Sequence, residues 1–158
     1  NTVWVIVEGG ANSDIAEIIY TYSDGMNTRG SVTVDVPAIS GQIFTTHFDR
    51  PTPVPLYIQF DFKLTVEIEQ VDIEAITEYI ANNLIYSLNE DAETSKITNV
   101  ASEAIAANGG GGFALNVEIS LDNTTWTDFI ASSSRANKFV TDTTRITINT
   151  IEIIRNCF

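Results

Sequence analysis

Apolar and polar residues alternate most strictly from Leu56 to Ile68, where every even position is Leu, Ile, Phe or Val and the odd ones run Tyr, Gln, Asp, Lys, Thr, Glu. A period of two fits only a β-strand with one dry and one wet face. The run exceeds the usual ~5–6 residues of a strand, so it is expected to bend or to serve two sheets. Shorter β-branched runs predict further strands. Thr2 to Val7 ends in the turn Glu8-Gly9-Gly10, and Ser31 to Val36 pairs as a hairpin with Gln42 to Phe48 across Pro37 to Gly41. Phe113 to Leu121 alternates again, Asp122-Asn123 supplies a turn, and Thr124 to Ile130 is read as the returning strand. In the last run, Thr143 to Ile154, the apolar parity shifts between Ile148 and Ile151, which predicts a bulge near Asn149-Thr150.

Three segments carry helical spacing instead. Asn12, Ser13 and Asp14 are cap types, and Asp14 with Glu17 reads as a capping box ahead of Ile15, Ile18, Ile19 and Tyr22. Ser23-Asp24-Gly25 stops that helix, and Gly25 to Gly30 reads as a loop. Asp72 caps a second helix, with Ile73, Ile76, Ile80, Leu84 and Leu88 on one side and an end near Asn89. Thr94 and Ser95 cap a third, whose Ile97, Val100, Ala101, Ala104 and Ile105 precede the glycines Gly109 to Gly112.

The fold class is therefore α+β, in two small units, each an antiparallel or mixed sheet with one or two helices packed on one face. The first, 1–51, reads β-α-β-β; the second, 52–158, reads β-α-α-β-β-β. Three of the four prolines fall in Asp49 to Pro55, which reads as a stiff connector that limits rotation between the units while allowing a small change of angle.

Composition then narrows the function. Of 158 residues, 8 are Lys or Arg and 21 Asp or Glu, a net charge of −13, which would repel a phosphate backbone; nucleic acid is not an expected partner. Residues 61–103 hold ten acids and two bases, so the helical layer is acidic, either as a solvated face or as a surface that docks a basic partner. No apolar run is long enough to cross a membrane as a helix, so no membrane insertion is expected. The chain has no initiator Met and no signal-peptide pattern, and reads as a piece of something longer.

The inventory for catalysis is thin. His47 is the one imidazole, on a strand with nothing beside it to orient the ring, and Cys157 is the one thiol, next to last and without a triad pattern. The glycine run lacks the Lys-Ser/Thr of a phosphate loop, and no acidic stretch has calcium-loop spacing, so no cofactor and no metal are expected.

Val7-Glu8-Gly9-Gly10, Asp14-Ile15-Ala16, Gly25 to Gly30, Phe48-Asp49-Arg50-Pro51 and the long alternating strand follow one another along residues 1–70 in an order that resembles the baseplate J-like proteins of contractile phage tails. Those proteins have a strand ending in Val/Ile-Glu/Asp-Gly-Gly, here Val7-Glu8-Gly9-Gly10, and Asp-Ile-Ala opening a helix, here Asp14-Ile15-Ala16. A Gly-x-x-T-x-Gly segment follows, here Gly25 to Gly30 with Thr28 one position early, then Phe-x-Arg-Pro, here Phe48-Asp49-Arg50-Pro51, and a long alternating strand. The resemblance implies a virion structural protein of the tail baseplate, the C-terminal part of a wedge protein, made in the host bacterial cytoplasm from a phage or prophage. It implies assembly with other tail proteins and with copies of itself, and no enzymatic activity. The residues that carry it are Glu8, Gly9, Gly10, Asp14, Gly30, Phe48, Arg50 and Pro51. Physically, Gly9 and Gly10 permit a tight turn, Asp14 favours the helix dipole, Phe48 anchors the first core, and Arg50 holds either carbonyls at the unit junction or a carboxylate on a neighbouring subunit. Two rivals stand beside this reading: a tail-associated module that binds host glycan or receptor, with exposed aromatics beside Asp122 to Asp128, and a cell-wall hydrolase, for which no carboxylate pair is singled out.

Overall fold

A computed structural model of the chain describes residues 1–64, 71–108 and 110–154. Among these residues are three α-helices and eleven strands, an α+β fold, and the chain divides into two compact units, Asn1–Thr52 and Pro53–Phe158.

In the first unit β1 (Thr2–Trp4) leads through the Gly9-Gly10 turn into α1 (Asn12–Tyr22). β2 (Asn27–Arg29) pairs parallel with β1, and β3 (Val32–Pro37) with β4 (Ile43–Phe48) forms the expected hairpin. β2 corrects the reading of Gly25 to Gly30 as a loop: three residues of mixed character give no periodicity, and only pairing with β1 makes them a strand. The cap of α1 is Ala11, not Asp14, which lies in the first turn and is exposed. The apolar stripe also rotates. Ile15, Ala16 and Ile19 are buried against β3 and β4, whereas Ile18 is 59% and Tyr22 81% exposed, because the small Ala16 lets the helix sit closer on that side. Val36 and Phe48 complete this core, flanked by Val5, Val7, Tyr20, Val32 and Val34.

The second unit opens on β5 (Thr52–Pro55) and β6 (Tyr57–Leu64). β5 corrects the reading of a free connector: this proline-rich stretch pairs with a later strand, at a sheet edge where missing N–H groups are tolerated, and Val54 packs on the core. β6 buries Leu56, Ile58, Phe60, Phe62 and Leu64 on one face, as its alternation predicts; Val66 and Ile68 lie outside the described residues. Its polar face is laced across strands, Gln59 donating to Glu118 at 2.5 Å and Asn116 to Asp61 at 2.8 Å.

α2 (Ile73–Asn83) is capped by Asp72, whose carboxylate accepts from the Ala75 N–H at 3.0 Å. It ends earlier than expected, with Leu84 as its C-cap, so Leu88 lies outside the helix; at its other end Ile73 is exposed. β7 (Ala92–Glu93) precedes α3 (Thr94–Ala107), whose cap is Glu93 rather than Thr94 or Ser95. β8 (Gly112–Ser120), β9 (Ile130–Ala131), β10 (Asn137–Val140) and β11 (Ile146–Ile153) follow. The central sheet is mixed, in the order β11-β6-β8, with β11 parallel and β8 antiparallel to β6. Its register shifts between Ile148 and Ile151, where the parity break predicts a bulge. α3 packs on β8 and α2 on α3, enclosing one core. Thr124 to Ile130 is not the returning strand: only Thr127 bridges to Ile119, because the Asp122 side chain winds the following residues into a turn, while β9 pairs with β7 and β10 with β5.

Candidate functional site

Beyond β4 the chain continues beside the extension of β1. The Asp49 N–H donates to the Val5 carbonyl at 2.9 Å and the Val7 N–H to the Asp49 carbonyl at 3.0 Å, a parallel pairing that brings Arg50 alongside the Gly9-Gly10 turn. Both glycines are left-handed, at φ 72° and 75°, a conformation that L side chains resist. Their carbonyls turn toward one point, and the Arg50 guanidinium fills it. Nη1 donates to the carbonyls of Val7 (3.1 Å) and Gly9, and Nη2 donates to the Gly10 carbonyl (2.9 Å) and to Asn12 Oδ1 (2.5 Å). Four acceptors around one fork suit the planar guanidinium, which no lysine could match. The guanidinium also lies 5.3 Å from the centre of the buried Phe48 ring.

Asp49 forms the other half of this knot. Its carboxylate accepts from Trp4 Nε1 at 2.6 Å and from both the N–H and the hydroxyl of Ser31 at 2.7 Å. These donors, Ser31 first and Trp4 next, hold its pKa below the usual carboxylate value, and the nearby charge of Arg29 adds to them. Arg29 itself lies over the Trp4 ring at 4.7 Å. Gly30 makes the arrangement geometrically feasible. A Cβ there would fall on the Phe48 backbone carbonyl, so only glycine lets the chain cross β4 closely enough to deliver Ser31 to Asp49.

Gly9, Gly10, Gly30, Phe48 and Arg50 thus meet in one place, although up to 41 residues separate the partners. Pro51 follows directly, half-buried and without a donor N–H; Glu8 is exposed at the turn. Asp14 accepts from the neighbouring Ser13 hydroxyl at 3.2 Å. The bonding partners of Arg50 are three carbonyls and the Asn12 amide oxygen, all of the first unit. Sequence reasoning missed Asp49, Asn12, Trp4 and Ser31. Asp49 occupies the variable place of Phe-x-Arg-Pro, and the one available hint was a Trp that needs an acceptor when partly buried.

The other candidates have ordinary partners. His47 is half-buried, with Nδ1 3.2 Å from the Thr33 hydroxyl. Cys157 and Gly109 lie outside the described residues; at Gly112 a Cβ would fall on the Lys63 carbonyl oxygen, so that glycine serves the close packing of β8 on β6. Among the described residues no group of three His, Cys, Asp or Glu is arranged to hold a metal ion.

No protein-family model and no curated protein matches this chain.

The second unit has a cleft of its own beside the Asp122 turn. It measures about 400 Å³ and is lined by Ile119, Leu121, Trp126 and Ala131, with Phe129 exposed beyond the half-buried Trp126. Asp122 is committed, however. It accepts from the N–H groups of Thr125 (2.7 Å) and Thr124 (2.9 Å) and from the hydroxyls of Ser120 (2.9 Å) and Thr125 (3.0 Å). These bonds, the two backbone ones foremost, hold its pKa far below the usual value and leave its oxygens little capacity for sugar hydroxyls.

Proposed function

We propose that this chain is a structural component of a contractile phage tail baseplate, or of a phage-like particle, that assembles with other tail proteins and with copies of itself without catalysis. The observation that carries the reading is the Arg50 knot. The pieces of the baseplate J-like pattern are far apart in sequence, yet the carbonyls of Val7, Gly9 and Gly10 all accept from Arg50, and Gly30 and Phe48 pack in the same place. They form one mechanical device, a clamp that fixes a strand, a turn and a helix start as a rigid body. Rigidity of that kind suits a part whose work is geometric, holding docking faces in register.

No helix among the described residues is long and apolar enough to cross a membrane, and the net charge of −13 favours protein or cationic partners over nucleic acid. The second reading is the glycan or receptor module, supported by Trp126 and the exposed Phe129 beside their cleft. Affinity capture separates the two. A tagged chain mixed with lysate from cells induced to make tail particles is expected to retain tube, sheath or wedge proteins, identified by mass spectrometry. Retention of surface polysaccharide or a receptor with no tail protein would replace the assembly reading by the binding module.

A further inference from the structure

β4 uses only part of one edge. Its hairpin ladder is fixed at the turn, where the Ala38 N–H donates to the Gln42 carbonyl at 2.8 Å, and by a register that pairs Val36 with Phe44 and Val34 with Thr46. Bonded and non-bonded pairs alternate in an antiparallel ladder, so Phe44, Thr46 and Phe48 turn their backbone groups to β3, and Ile43, Thr45 and His47 turn theirs outward. The outward set is engaged only at its far end. The His47 N–H donates to Thr28 Oγ1 at 2.8 Å, and Asp49 beyond it pairs with Val5 and Val7. Ile43 and Thr45 are exposed, and among the described residues their outward N–H and C=O groups meet no partner.

This free edge borders an open cleft of about 840 Å³, walled by Phe44 to His47 on one side and by Tyr20 and the 23–28 segment on the other. One end of it is aromatic, with the Tyr20 and Phe44 rings 4.9 Å apart. The cleft also carries Asp24 without a cation beside it. The first unit has two cationic side chains, Arg29 and Arg50, and they are engaged with Trp4 and with the knot.

We propose that this cleft takes an extended segment of a partner protein, added as a strand along Ile43 to Thr45, with an apolar side chain against Tyr20 and Phe44 and a Lys or Arg facing Asp24. Unpaired strand edges recruit extended chains through main-chain bonds, while side-chain pockets and charge select among them. The inference gives the assembly reading a face and a kind of partner, and in that sense rests on it.

The test is a titration of the ¹⁵N-labelled full chain with a capped hexapeptide of alternating lysine and valine, and with the same peptide N-methylated at alternate residues. The expected result is amide shifts confined to residues 24–28 and 43–47, at least tenfold slower hydrogen exchange at Thr45, and at least tenfold weaker binding of the methylated peptide. Thr45→Pro removes an outward N–H and the Thr45 hydroxyl's bond to Asp35 but no backbone bond of the β3 ladder, so it is expected to fold and to weaken binding by the same factor; Asp24→Asn gives a second, milder loss in case the proline variant fails to fold. Equal binding of both peptides, shifts centred on the acidic helices, or no shift at millimolar peptide would overturn the proposal. The capture experiment fails separately: tail proteins retained equally by wild type and Thr45→Pro would sink the cleft and spare the assembly reading. Strand addition at β4 with no tail protein captured would do the reverse.

Discussion

The two units solve the same problem by different means. Among the described residues the second gathers twenty buried apolar residues in one core, four of them from β6 itself. The first buries five, and its strand ends, turn and helix start are tied by two charged side chains that together accept or donate seven side-chain hydrogen bonds. A small unit has little interior to bury, so directional bonds must supply the order that packing supplies in a larger one. The consequence is a difference in what each unit tolerates: the second should fail by cavities, the first by loss of single donors or acceptors.

The sharpest way to break that contrast is a cavity in the larger core. Phe62 is fully buried and meets Phe60 edge to face at 4.9 Å. Phe62→Ala is expected to cost about 3–5 kcal/mol. Hydrogen exchange should then rise through β6, β8 and α3 while the amides of the knot keep their protection. Equal loosening of both units would show that their stabilities are not separable.

A smaller effect is expected from crowding in the first unit. Gly30→Ala pushes a methyl group onto the Phe48 backbone and should cost about 2–3 kcal/mol. It should do so by lifting Ser31 away from Asp49, read as loss of the Trp4 indole N–H shift that the carboxylate bond produces in an NMR spectrum. An unchanged indole shift with lowered stability would locate the damage elsewhere.

Arg50→Lys follows. A lysine keeps the charge and loses the fork, so about 1–2 kcal/mol of the clamp is expected to go even in this conservative change, measured by urea denaturation. Arg50→Ala should cost more than Arg50→Lys, and both should speed exchange at Gly9 to Asn12 while leaving β6 and β8 untouched. If lysine behaves as wild type, a point charge suffices and the carbonyl geometry carries little.

The same contrast explains what could be read in the sequence. Periodicity reports burial, so β6, the β3–β4 hairpin and the bulge after Ile148 were legible, each from residues whose faces are set by a core. β2, β5, β7, β9 and β10 were not, because two to four residues carry no period and pairing alone defines them; in β5 the prolines argued for a connector although an edge strand tolerates them. The α1 stripe was misjudged because Ala16 counts for little on hydropathy and for much in close packing. The knot was half legible. Gly9, Gly10 and Arg50 stood out, but that they bond to one another across some forty residues depends on a parallel pairing of Asp49 with Val5 and Val7, which leaves no local trace. Asp49 itself looked like one surface acid among many.

The weakest expected effect is also the one that most directly tests whether polar bonds order the first unit. Asp49 binds three donors as a carboxylate, and its pKa is lowered in the folded chain from an ordinary value of 3.8. A depressed folded pKa means the unfolded state takes up the proton first, so the stabilisation is fully present above pH 3.8 and fades as pH falls through the folded value. Asp49→Asn keeps the shape, removes the charge and replaces an acceptor by a donor. It should lower the melting temperature modestly at pH 7, and the gap to wild type should close on acidification. Asp122→Asn is the matched control in the second unit, since Asp122 is likewise depressed by the Thr124 and Thr125 donors. Its effect should stay local to the 120–127 turn, with the β6 core holding the rest. Should Asp122→Asn instead unfold its unit as readily as Asp49→Asn does the first, the size of the hydrophobic core would not be what separates them. The dependence on polar ties would then be a property of the turns, shared by both.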